Sequence, residues 1–152
     1  MLDFRPILFI LGILLTTLSI AMFLPALVDA ASGNADWQVF LASAGLTLFI
    51  GVSLILTMRG GDIKIGIREA FVLTTASWLG LTVFASLPFV FAGLNLSFAD
   101  AFFEAMSGIT TTGSTVIIGL DAAPPSILLW RALLQWLGGI GIIVMAIAVL
   151  PM

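Results

Sequence analysis

Between Gly108 and Gly119 the chain reads Ile-Thr-Thr-Thr-Gly-Ser-Thr-Val-Ile-Ile, with hydroxyl side chains at Thr110, Thr111, Thr112, Ser114 and Thr115 around Gly113. Neutral oxygens at this density suit an alkali cation. Small side chains allow close approach to the main chain, and Gly113 admits backbone geometries that other residues resist. Threonine hydroxyls add oxygen to a row of carbonyls that can replace an ion's hydration shell. The competing reading is that Thr110 to Thr112 continue a helix and bond back to its preceding turn, as Thr16, Thr17, Thr74 and Thr75 are expected to do. Nucleophilic chemistry at Ser107, Ser114 or a threonine is disfavoured, because the chain has no His, no Cys and no Lys within an apolar segment to activate it. The same composition excludes disulfides, imidazole bases and nearly every transition-metal site. The chain is therefore expected not to be an enzyme and to need no cofactor.

The elements that hold this run are apolar. Of the 152 residues 61% are hydrophobic and 9% charged, against about 25% charged in soluble domains, and the mean hydropathy is +1.27. Segments 7–28, 39–58, 70–92 and 132–150 are uncharged and reach the ~20 residues a helix needs to cross a bilayer core. Small residues around Ala30 raise a signal peptide as an alternative for the first segment, but its apolar run is about twice the usual signal core, so a retained helix is expected. Arg59, Lys64 and Arg68 follow the second segment and Arg5 precedes the first, whereas the loop assigned to Asp29 and Asp36 has no base. The positive-inside rule puts the N-terminus in the cytoplasm. The net charge of -3, without a run of like charges, gives no reason to expect nucleic acid.

Segment 93–124 breaks the pattern. Asp100 and Glu104 would each cost about 2.5–3.5 kcal/mol in a lipid-facing span. A short helix over 98–109 fits better. Ser97 is its expected N-cap, with Asp100 in capping-box position, Phe98, Ala101, Phe102, Ala105 and Met106 on one apolar face, and Gly108 near its stop. At 1.5 Å per residue it is about 18 Å long, roughly half the ~30 Å hydrocarbon core. Thr110 to Gly119 can return to the surface in extended form, and Pro124 and Pro125 suit the start of the next helix. A half-length helix followed by a returning strand is a pore loop, whose helix directs its negative end at the membrane centre.

Arg131 is expected to meet Glu104 at similar depth and pair with it, helped by Gln135; the alternative is an Arg131 that reaches the outer interface. Restoration by a charge-swapped pair would test the pairing. Gly138, Gly139 and Gly141 predict close packing against the loop, with gating motion the weaker reading. Trp37, Trp130 and Trp136 are placed near or below the outer interface and Trp78 packs within the third span.

"FFEAMSGITTTGSTVI" followed by "LLWRALLQWLGGIGIIVMAIAVLPM" resembles the first pore-loop repeat of the Trk/Ktr/HKT superfamily of potassium transporters, most closely the TrkH type. The resemblance is strong over 98–152. It implies an all-α membrane protein, with two N-terminal transmembrane helices (1–60) and one helix/pore-loop/helix repeat of a potassium-channel-like fold (61–152). The pore helix is 98–109 and the filter 110–115. It further implies that backbone oxygens of Thr111, Thr112 and Gly113 bind potassium, with the metal ion at Thr111 and Thr112 and with Thr110 and Ser114 at the two ends. Glu104, Arg131 and Gln135 are structural neighbours. Four such repeats surround one filter in that family, so a fragment is expected here rather than a self-assembling single repeat. Implied partners are lipid, the three further repeats, a second copy of the full-length subunit and a cytosolic nucleotide-binding ring of the TrkA type, at a bacterial plasma (inner) membrane. The rival from another class is a non-conducting assembly or scaffold subunit, in which a change at Gly113 leaves ion flux unaltered.

Overall fold

The computed structural model describes residues 4–60 and 66–149. Lys64, used for orientation, and Leu150, the predicted end of the last span, lie outside the described residues. The elements are α1 (Phe4–Ser32), α2 (Trp37–Met58), α3 (Ile67–Phe91), the short α4 (Phe98–Ile109), a single 3-10 turn (Leu120–Ala122) and α5 (Pro125–Val149). α1, α2, α3 and α5 each contain a stretch long and apolar enough to cross a membrane. α4 is the half-length helix expected from the sequence, with the same two ends. The long helices outrun their apolar segments because helical hydrogen bonding continues into flanking polar residues. Thus α5 starts at Pro125, where the proline's lack of an N–H costs nothing.

α1 and α2 form a tight hairpin. A Cβ on Gly12 would lie 2.8 Å from the Gly51 carbonyl oxygen, and one on Gly51 would lie 2.7 Å from Thr16 Oγ1. Nearby, the buried Ser19 hydroxyl donates to the Ala44 carbonyl at 2.8 Å. In lipid, helices associate by such close approach, since apolar side chains gain little by leaving the bilayer. Gly12→Leu is expected to destabilise the protein by about 1–3 kcal/mol through overpacking. Gly45→Leu, at a position with nothing within 4 Å of the added Cβ, should melt at or above the unmodified protein, because leucine favours a helix over glycine. Thermal melting of both variants in detergent checks this.

Thr16, Thr17, Thr74 and Thr75 bond back to carbonyls four residues earlier, as their helical positions predict. Asp29, assigned to a loop from the sequence, is instead buried within the last turn of α1. Burial pushes the Asp36 carboxyl above its ordinary value, and neighbouring Asp29 adds to the effect.

The core joins Met22 of α1, Phe40 of α2, Ala85 and Phe89 of α3, Ala101 and Ala105 of α4, and Trp130 of α5. Trp130 lies at the centre of this core. It is fully buried, meets Phe40 edge-on at 6.2 Å and donates its indole N–H to the Ala85 carbonyl at 3.0 Å. A protein acceptor replaces the interfacial water that a tryptophan N–H otherwise seeks. Trp136 is exposed and Trp78 packs against the core.

Candidate functional site

The site begins at the cap of α4. Ser97 Oγ accepts from Asp100 N at 3.2 Å, and Asp100 Oδ2 accepts from Ser97 N at 3.2 Å and from Ser97 Oγ at 2.7 Å. The reciprocal box satisfies two N-terminal backbone groups and sets where the helix starts. From there α4 packs between α3 and α5. Its buried side chains are not the simple apolar stripe read from the sequence: Phe98 is exposed, whereas Glu104, Ser107 and Gly108 are buried with Ala101 and Ala105. The polar residues turn inward because the returning loop supplies their partners.

At the end of α4 the threonines diverge. Thr110 Oγ1 bonds back to Met106 O at 2.8 Å, so the helical reading holds for that residue. Thr111 takes φ 58° and Gly113 φ 78°, left-handed geometry that glycine adopts freely and threonine rarely. The N–H groups of Thr112 and Gly113 both donate to Ser107 O, at 3.0 and 3.2 Å. Ser107 Oγ then donates to Ser114 O at 2.7 Å. Among the described residues, no hydrogen bond is made to the carbonyl oxygens of Thr110, Thr111, Thr112 or Gly113. The N–H groups of Thr110 to Gly113 are thus consumed by α4 while the carbonyls of the same four residues stay free to accept a cation.

Glu104 anchors the returning limb. Its carboxylate, 1% exposed, accepts through Oε1 from Thr115 Oγ1, Val116 N and Ile117 N, and through Oε2 from Arg131 Nε at 2.9 Å. The pairing of Glu104 with Arg131 is as the sequence predicts, and an ionised acceptor makes each bond stronger than a neutral one. Sequence reasoning missed Thr115, Val116 and Ile117 as partners, and Ser107 as the residue that joins the two limbs. Gln135 needs correcting. It makes no hydrogen bond to Glu104 or Arg131 among the described residues; its Nε2 lies 3.6 Å from where a Gly113 Cβ would stand. One helical turn carries it past the ion pair to Gly113.

α5 holds the arrangement from behind. A Cβ at Gly138 would overlap the Ile109 carbonyl, and one at Gly108 would come within 3.0 Å of Leu134 Cβ. The close packing expected of the glycines is realised at Gly138; at Gly141 nothing lies within 4 Å.

The family model described as "TrkH: Cation transport protein" matches residues 36–152, which include every residue of this loop and its supports. The chain belongs to the TrkH family. Its sequence is 43% identical over 148 residues to the Trk system potassium uptake protein TrkH of Halomonas elongata, covering 97% of this chain and 31% of that protein. It is 34% identical over 142 residues to the Trk system potassium uptake protein TrkG of Escherichia coli K12, covering 93% and 29%. The crystal structure of the potassium transporter TrkH from Vibrio parahaemolyticus superposes with a TM-score of 0.93 at 41% identity, over 99% of this chain and 32% of that one. The chain thus spans about a third of the length of these TrkH relatives. The all-helical fold and the membrane character expected from the sequence stand with that family.

Proposed function

We propose that this chain contributes one repeat of a potassium-translocating membrane protein, in which the carbonyls of Thr110, Thr111, Thr112 and Gly113 form one quarter of a single-glycine filter; Ser114, expected at its end, is left out because its carbonyl already accepts from Ser107 Oγ. The observation that carries this reading is the row of four unengaged carbonyls, backed on one side by Ser107 and on the other by Glu104. Potassium is the cargo, bound at Thr111 and Thr112. No chemical step occurs: an ion sheds water against fixed oxygens and leaves because no single site holds it tightly. The negative end of α4 at the start of the row adds a favourable field for a cation.

In this reading the N-terminus is cytoplasmic at a bacterial plasma membrane, with Arg59 and Arg68 on the cytoplasmic side. Further repeats of the same transporter complete the ring, full-length subunits pair, and a cytosolic nucleotide-binding ring regulates them. The names of the relatives, potassium uptake proteins, support the choice of ion.

The test is rubidium uptake and potassium-limited growth in cells without their own potassium uptake. The chain is expressed alone and, in parallel, extended by the coding sequence that follows Met152. Rescue is expected from the extended chain. Gly113→Ala places a side chain at φ 78°, a strain of about 1–2 kcal/mol, and should lower uptake about ten-fold. Unchanged uptake in that variant would favour a scaffold in which the loop merely packs.

A further inference from the structure

Ser107 lies in the last turn of α4, 4% exposed. It engages three successive residues of the loop with opposite polarity. Its carbonyl accepts the N–H groups of Thr112 and Gly113, whereas its hydroxyl donates to the carbonyl of Ser114. The direction in which the loop presents its oxygens therefore changes between Gly113 and Ser114. Up to Gly113 the N–H groups face α4 and the carbonyls are free. At Ser114 the carbonyl itself is tied to α4.

We infer that Ser107 is a specificity-determining positioning residue, which sets where the row of ion-binding carbonyls ends by withholding the Ser114 oxygen. It acts on the ion only through the loop. Two consequences follow from the geometry. The row is held to the oxygens of Thr110 to Gly113, and its last members cannot close in on a smaller ion without breaking the bonds of Thr112 and Gly113 to Ser107 O. Whether discrimination rests on cavity size or on the number and field of the oxygens, both quantities are fixed at this residue. Without the hydroxyl, the Ser114 carbonyl becomes a further, mobile oxygen at the end of the row, which weakens any preference for the larger ion over sodium.

This inference rests on the potassium reading, and the experiment separates the two. In the extended chain, rubidium uptake is measured against rising sodium for the unmodified protein, Ser107→Ala, Ser107→Cys and Gly113→Ala. Ser107→Ala should retain uptake while its discrimination against sodium falls by about five-fold, equivalent to about 1 kcal/mol, the net worth of one hydrogen bond. Ser107→Cys, which keeps a weak donor in a similar volume, should fall between. If Ser107→Ala does not accumulate, the cysteine variant carries the same comparison. An unchanged ratio with lower uptake would make Ser107 merely structural and overturn the inference while leaving the potassium reading intact. Equal flux in the unmodified protein and Gly113→Ala would overturn the potassium reading, and this inference with it.

Discussion

Glu104→Ala is expected to abolish uptake, and the charge-swapped pair Glu104→Arg with Arg131→Glu is expected not to restore it. Removing one partner of a buried ion pair costs about 3–5 kcal/mol, because the other charge is left uncompensated. Arg131, with 13% of its side chain exposed, has little water to turn to. The pair is only half of what Glu104 does. Val116 N, Ile117 N and the Thr115 hydroxyl all donate to its other oxygen, so the alanine variant also frees the returning limb from α4 and leaves the buried Ile117 N–H with Thr115 Oγ1 as its remaining acceptor. A guanidinium at position 104 would turn donors toward donors. The swap therefore fails although the ion pair exists, and its failure is not an argument against pairing. Glu104→Gln separates the two roles. Its single carbonyl oxygen can serve either Arg131 or the loop, and uptake should fall less than in the alanine variant. Rubidium uptake and thermal melting in detergent read out each variant. Restoration by the swap would sink the claim that Glu104 holds the returning limb.

The same residue shows what a sequence can and cannot disclose. The ends of α4 were readable because Ser97 and Asp100 form a local device, three residues apart, whose bonds need no knowledge of the rest of the fold. The Glu104–Arg131 pair was readable because each charge sits at a computable depth in apolar surroundings, where a lone charge is costly. The bonds to Val116 and Ile117 were not readable. They involve backbone N–H groups, identical at every residue, in a loop with no period to place them. Ser107 was hidden for a related reason: a serine near a helix end looks like any small polar residue until the chain doubles back over it. The partner of Trp130 was not readable either, because the composition of α5 alone does not reveal an acceptor on α3.

The glycines of α5 give the sharpest separation between pattern and contact. Gly138 and Gly141 are three residues apart and share a helix face, so the sequence treats them alike. In the structure they are opposites. A Cβ at Gly138 would overlap the carbonyl of Ile109, and because the obstacle is main chain no rotamer can relieve it. The end of α4 would have to move, and with it Thr110 and the row of carbonyls that starts there. Alanine favours a helix over glycine by about 1 kcal/mol, so the sign of each substitution depends on what the methyl meets. Overpacking of about 1–3 kcal/mol, and more against backbone, outweighs that gain at Gly138. At Gly141, with nothing within 4 Å, the gain stands alone. Gly138→Ala should therefore lower the melting temperature and eliminate rubidium uptake, whereas Gly141→Ala should melt at or above the unmodified protein and transport normally. Matching behaviour of the two variants would mean that α4 does not rest on α5 through Gly138. The position of the loop's free carbonyls would then have to be set from the Glu104 side alone.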